Sequence, residues 1–178
     1  MKATVLRKYA RLIARSGVNV KKGDVFFIKS GTVHAIGPGN LICEVQQNSN
    51  TTYRVYDYNR KDKNGNTREL HVKKAIEVSS LCPPQNYDIT PAVKKEGYEE
   101  QLLSICKYFS VKRIDVFSKA EIDITPDSFH SLIVLEGEGE VSLNNKKTLL
   151  KKGDSVFIPA GNEKIEADGN FSEILSNI

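Results

Sequence analysis

Paired cysteines, clustered bases and long apolar runs are all missing from this sequence, and each absence removes a class of protein. Cys43, Cys82 and Cys106 are odd in number and far apart, with no CxxC pair and no histidine at zinc-finger spacing. Neither a disulfide framework nor a zinc finger is expected; the three read as reduced thiols of a cytoplasmic protein. A chain of 178 residues can bury about 68–70% of its unfolded surface, enough for one good core or two small ones without cross-links. The longest apolar runs, VFFI and LIVL, fall far short of the roughly 18 residues of a membrane span, so no membrane association is expected. Net charge is +4 and the pI is near 8.9, yet the lysine pairs at 21–22, 73–74, 94–95, 146–147 and 151–152 are scattered. A nucleic-acid surface needs such charge gathered together, and no nucleic-acid partner is expected.

Acidic residues are absent from the first 23 positions. That leaves two readings of residues 3–16, ATVLRKYARLIARS. One is an amphipathic organelle transit peptide. The other, preferred because the segment runs into an expected strand at Val18–Val20 without a cleavable linker, is a short helix. Leu6, Tyr9, Ala10 and Ile13 would share its face, and Gly17 would stand just past its end.

Of the three histidines, His34 has the most recognisable setting. Gly23 and Asp24 mark a turn, residues 25–28 an apolar strand, and Gly31 a second turn three residues before the imidazole. A turn at 37–40 leads to a strand over 41–47, where alternation sets Ile42, Glu44 and Gln46 on one face and Leu41, Cys43 and Val45 on the other. The polar face is either solvated or the lining of a polar lumen. A further strand is expected over 51–57 with Thr52, Arg54 and Tyr56 on one face, making Arg54 either a surface residue or a cation aimed into the same cavity. Residues 59–67 form a polar loop with a turn at Asn64, Gly65 and Asn66. Glu69 and His71, two apart on an expected strand face, could present two metal ligands. With no third donor nearby, a histidine satisfied by backbone is the preferred reading.

Residues 79–97 read as a linker, from the aperiodic, proline-containing SSLCPPQNYDITP. A helix is expected near 96–106, where Leu102, Leu103 and Ile105 are apolar. The chain then repeats itself: KKGDSVFIPAGNEKI at 151–165 matches KKGDVFFIKSGTVHAI at 21–36 in its KKGD, FI and glycine positions. Lys164 stands where His34 stands in the first copy, and a charged ammonium cannot ligate a metal. Upstream, a strand over 129–135 and a turn at 137–139 carry one histidine, His130.

The Gly23 to His34 pattern resembles the second sequence motif of cupin barrels, with Lys29 in place of the usual proline and Pro38 where an asparagine is common. Residues 129–139 and 151–165 resemble both cupin motifs of a second barrel that has lost its paired histidines. The fold class expected is therefore mainly β: two cupin (jelly-roll) barrels with short helices, the first over 1–78 and incomplete at its N-terminal side, the second over 98–178 and free of metal. The ordered motifs SGTVHAIG, EVQQNS, TTYRVYD and RELH further resemble the C-terminal half of the short bacterial form of type I phosphomannose isomerase.

That resemblance implies interconversion of mannose 6-phosphate and fructose 6-phosphate by zinc-assisted proton transfer through a cis-enediol. It implies His34 as a zinc ligand, Arg54 as the active-site cation and Glu44 as a candidate for proton transfer. Three further zinc ligands would lie in an N-terminal half upstream of the matched segment. The chain alone is expected to be incomplete and inactive, with a sugar phosphate as the substrate of the whole, and to self-associate or recruit a partner chain through its open barrel edge. Two other classes stay open. One is a non-catalytic sugar-binding or regulatory cupin; the other is an RNA-binding or assembly protein using a strip of Tyr53, Arg54, Tyr56, Tyr58 and Arg60, against which strand alternation argues.

Overall fold

The computed structural model describes residues 2–7, 10–12, 18–80 and 89–178, and the chain divides into two compact units at residues 87 and 88. In the first unit, β1 (Lys2–Arg7) runs between β4 (Val25–Ile28) and β5 (Leu41–Gln46) in an antiparallel sheet. A separate ribbon pairs β2 (Ala10–Leu12) with β3 (Val18–Val20). The expected helix over 3–16 is thus corrected to strands wherever that stretch is described. Every residue from Lys2 to Arg7 has a partner on β5, and those from Lys2 to Val5 also have one on β4. Pairing on two edges satisfies backbone groups that a helix would have satisfied internally.

Two further expectations in this unit change. Residues 51–57 form no strand; they are a loop tied down by side chains. Residues 72–78 form α1 (Val72–Val78) directly after His71, so Glu69 and His71 are not on a strand face. Ala75 is the buried residue of this helix, while Ile76 is 71% exposed. The turn anticipated at 64–66 is present: Asp62 accepts hydrogen bonds from the backbone of Asn64 and Asn66, and Lys61 bridges Thr67.

The second unit is an eight-stranded antiparallel sheet. Its strands are β6 (Val93–Lys95), β7 (Tyr98–Ile105), β8 (Ser110–Val116), β9 (Lys119–Asp123), β10 (His130–Leu143), β11 (Lys146–Lys151), β12 (Ser155–Ile158) and β13 (Lys164–Asn177). β6 falls within the linker expected over 79–97 and pairs with β7, while residues 81–88 lie outside the described residues. The helix expected near 96–106 is corrected to β7, which pairs with β8 along nearly its whole length.

Two long strands, β10 and β13, run antiparallel to each other, and each changes its other neighbour midway. β10 passes from β12 to β11, and β13 passes from β9 to β8. The exchange requires the backbones to bend and approach closely. At Gly137, φ is +77° and a Cβ would stand 2.1 Å from the Asn170 carbonyl oxygen, so a side chain is barred twice over. The bent sheet encloses a core that includes Ile114, Leu132, Val134, Ile165 and Phe171. Burial alternates along β9, as a strand with one covered face requires.

Candidate functional site

His34 is placed by a turn, a short strand and a second turn. Asp24 caps the first turn by accepting the Lys21 amide at 2.9 Å, and Gly23 takes φ +92°. After β4, Gly31 takes φ +85° and lies against the end of α1: its carbonyl accepts the Ser80 amide at 2.9 Å, and a Cβ there would come within 2.7 Å of the Val78 oxygen. The chain then turns to bring His34 to a half-buried position with Nδ1 2.8 Å from the Thr32 carbonyl. A carbonyl can only accept, so Nδ1 carries the hydrogen and Nε2 presents its lone pair. That is the tautomer a metal-binding histidine needs, fixed by the backbone bond that commonly orients such ligands.

At the other end of α1 stands Arg54. Its amide donates to His71 Nδ1 at 3.3 Å, and its carbonyl accepts the His71 amide at 2.7 Å. His71 Nε2 lies 3.7 Å from Glu69. The histidine is therefore engaged by backbone and a neighbouring carboxylate. α1 thus joins the two segments, pairing with Arg54 before its first turn and with Gly31 after its last. Seven helical residues span about 10 Å.

The side chain of Arg54, about three-quarters buried, reaches the Glu69 carbonyl through Nη1 at 3.4 Å and approaches Asp57 through Nε at 3.8 Å. Asp57 is a hub that sequence reasoning missed. Arg68 clasps both of its oxygens, through Nε at 2.7 Å and through Nη2, and the Arg60 Nε lies 3.9 Å away. Arg68's hydrogen bonds above all, and then the charges of Arg68, Arg60 and Arg54, hold the Asp57 carboxyl below the usual carboxylate range. The available signal was arginines three residues either side of one aspartate, with a third arriving from beyond a turn.

Glu44 sits on β5 opposite Thr4, on an exposed face with Gln46. Burial pushes up the thiol of Cys43, on the opposite face, which keeps it protonated and unreactive. Tyr53, Tyr56 and Tyr58 are all exposed, with an edge contact between the last two, and Arg60 lies over the Tyr58 ring. Because the segment is a loop, strand alternation no longer separates its aromatic and basic residues. Among the described residues no group of three or more histidine, cysteine, aspartate and glutamate side chains could hold a metal ion. A zinc ion takes about four ligands; His34 has the right geometry for one of them, and the described residues do not supply the set.

In the second unit the position matching His34 is differently used. Lys164 is exposed and binds Glu121 at 2.8 Å, and this hydrogen bond raises its pKa and keeps it cationic. His130 is buried, and desolvation, with Lys112 nearby, lowers its pKa. No described residue hydrogen-bonds its Nδ1. Glu173 is fully buried between Val134 and Ile114, both of its oxygens lack a hydrogen-bond partner among the described residues, and burial pushes its carboxyl up to about 8.

Residues 99–178 match the family described as mannose-6-phosphate isomerase, cupin domain. The mannose-6-phosphate isomerase ManA of Bacillus subtilis is 41% identical over 165 residues, covering 90% of this chain and 51% of that protein. Mannose-6-phosphate isomerase of Streptococcus mutans is 36% identical over 161 residues, again 90% of this chain and 50% of its own length. The crystal structure of the Bacillus subtilis mannose 6-phosphate isomerase superposes with a TM-score of 0.89 at 31% identity, covering 99% of this chain and 64% of that one. A phosphomannose isomerase variant from Salmonella typhimurium shares the fold, with a TM-score of 0.67 at 22% identity. The chain spans about half the length of the curated relatives it matches. It is mainly β, its residues 99–178 match the cupin domain of the mannose-6-phosphate isomerase family, and over nine-tenths of its length it resembles the C-terminal half of bacterial members of that family.

Proposed function

We propose that this chain is the half of a mannose-6-phosphate isomerase that brings one zinc-binding histidine and one substrate-facing arginine to a site completed by protein outside these 178 residues. The observation that carries the proposal is the bond from His34 Nδ1 to the Thr32 carbonyl, which leaves Nε2 free to coordinate. Zinc, when bound, would supply Lewis-acid stabilisation of the charge that develops on the sugar's oxygen. Through its guanidinium fork, Arg54 stabilises an enediolate or anchors a sugar oxygen. Its backbone pairing with His71 and its side-chain approach to Asp57 hold the guanidinium in place. Glu44, exposed on β5, is the candidate for proton transfer once further protein covers its face of the strand.

The covering protein has chemistry to meet. Leu41 on β5, Val33 beside His34 and Ile76 on α1 are all exposed, and the β4–β1–β5 sheet has an open edge on each side among the described residues. Such surface favours a second copy or a partner polypeptide carrying the remaining strands.

A second reading is a non-catalytic sugar-binding module. The pairing of Lys164 with Glu121, at the position matching His34, favours it for the second unit. Both readings are tested by mixing the purified chain with a separately made N-terminal half of a related isomerase and assaying conversion of mannose 6-phosphate. Conversion by the mixture and by neither part alone is expected. Turnover by the chain alone, or a folded, zinc-loaded mixture that binds the sugar phosphate without converting it, overturns the isomerase-half reading.

A further inference from the structure

α1 opens on a residue that does not serve it. Its N-cap is His71, whose imidazole makes no hydrogen bond to the helix. Serine, threonine, aspartate or asparagine ordinarily stands there and accepts an amide of the first turn. At 71 the backbone, with φ −112° and ψ 42°, lies outside the extended region from which a cap side chain folds back, and the first turn holds no acidic residue in compensation. The acceptor of the ring is used elsewhere: Nδ1 takes the Arg54 amide at 3.3 Å, from seventeen residues upstream. The helix goes uncapped, and Arg54 gains a partner.

Arg54 has need of one. Residues 51–57 form no strand, so no sheet ladder sets the direction in which the arginine leaves the backbone. Three contacts from residues 69–71 do so instead: His71 Nδ1 on the Arg54 amide, the His71 amide on the Arg54 carbonyl at 2.7 Å, and the Glu69 carbonyl on Nη1 at 3.4 Å. Only the first depends on the side chain at 71. With the Nδ1 lone pair taken by an amide, the neutral ring carries its hydrogen on Nε2, the reverse of the tautomer at His34. Neither nitrogen then offers a lone pair to a metal. Nε2 lies 3.7 Å from the exposed Glu69 carboxylate, beyond good hydrogen-bond distance. The Nδ1 bond is thus the specific contribution of this histidine.

We propose that His71 is a positioning residue: through Nδ1 it fixes where the Arg54 guanidinium stands relative to His34, with α1 as the spacer between them. The far end of α1 is tied to the loop that carries His34 by the Ser80 amide on the Gly31 carbonyl at 2.9 Å, and the Ser79 hydroxyl closes the last turn on the Ala75 carbonyl at 2.6 Å. Such a frame matters to chemistry because a misplacement of about 1 Å in a charge-stabilising group can cost on the order of 10²-fold in rate. The effect on turnover rests on reading Arg54 as the substrate-facing cation; the grip on Arg54 does not.

The grip is tested on the 178-residue chain itself. NMR should show a nitrogen–nitrogen scalar coupling across the bond from the Arg54 amide to His71 Nδ1, and fast motion at Arg54 Nε should rise in His71→Ala. His71→Asn should restore the order, because an asparagine Oδ1 stands where Nδ1 stood, whereas His71→Gln, with its acceptor one methylene further out, should not. The consequence is tested in the mixture with the N-terminal half of a related isomerase. There His71→Ala should lower kcat about tenfold, the equivalent of one net hydrogen bond, with zinc content and KM for mannose 6-phosphate nearly unchanged. In an Arg54→Gln background the same substitution should cost nothing further, since a residue that acts only through Arg54 has nothing left to position. Additive losses overturn the inference, as does loss of zinc in His71→Ala, which would make His71 a ligand. Unaltered Arg54 motion in His71→Ala overturns it on the chain alone. A mixture that converts nothing sinks the isomerase reading instead, and the Arg54 motion still decides whether His71 holds the arginine.

Discussion

The same four residues, KKGD, open equivalent turns at 21–24 and 151–154, and the two halves of the molecule then use the turn for different purposes. In both copies the aspartate accepts the first lysine's amide at 2.9 Å, and the glycine takes φ +92° or +95°. Both continue into a four-residue strand ending in a buried isoleucine, Ile28 or Ile158. Beyond that point Gly31 adopts a left-handed φ and seats the chain against α1, presenting His34 with a defined tautomer. In the second copy Gly161 has no left-handed φ, and the corresponding side chain, Lys164, is exposed in an ion pair while Ile165 next to it enters the core. A turn-strand cassette is thus a neutral frame. The residues five to ten positions later decide whether it carries chemistry or closes a core.

The comparison breaks most completely at His34. In an assembly that completes the proposed zinc site, His34→Ala should remove both tight zinc binding and turnover, because one lost ligand collapses the coordination geometry. Retained metal and activity in that variant would put His34 outside the site. Arg54→Gln should lower turnover by roughly 10²–10³ with zinc content unchanged, the order observed when one charge-stabilising donor is deleted. A fall in metal content without a fall in turnover per zinc would make Arg54 structural.

The core half is sharpened through Glu173. An unfolded glutamate titrates near about 4.3, whereas in the folded protein the carboxyl is pushed up to about 8 by burial. The native state therefore holds the proton more tightly than the unfolded one. The stabilisation is fully present below about pH 4 and is lost as pH rises toward 8, roughly 5 kcal/mol in all. Chemical denaturation from pH 5 to 9 should show stability falling with pH in the parent chain and a much flatter profile in Glu173→Gln. Equal slopes would mean that the carboxylate finds a partner when ionised. The smallest effect is expected for Lys164→His, which should confer no zinc binding and leave stability nearly unchanged, because an exposed ion pair contributes little.

Legibility in the sequence followed the same divide. Turns and the strands beside them were readable at both KKGD copies because glycine and aspartate have local reasons to be there. His34 was legible as a candidate through its spacing from Gly23 and Gly31, all within one cassette. The segments misread were those decided by distant partners. Residues 98–105, YEEQLLSI, contain good helix formers, yet β8 pairs with them along one edge and they form β7. Residues 51–57, rich in threonine, tyrosine and valine, look like a strand but meet no strand partner; His71 and Arg68 hold them from across a loop. For that reason the Asp57 hub was invisible as a site. Its three arginines are spread over fifteen positions of sequence and converge only when the 57–60 turn and the residues before α1 fold back together.

The most direct test of the account is zinc per chain on the purified 178 residues, measured after dialysis against weak chelator, alone and then with the N-terminal half of a related isomerase. One correctly tautomerised imidazole cannot hold zinc against water, so the chain alone should come through dialysis essentially metal-free. The complex should retain about one zinc, as a single tetrahedral site requires, and lose it with His34→Ala. Stoichiometric zinc on the chain alone would contradict the account and would mean that a second copy, or donors such as Glu69, His71 or His130, completes the site.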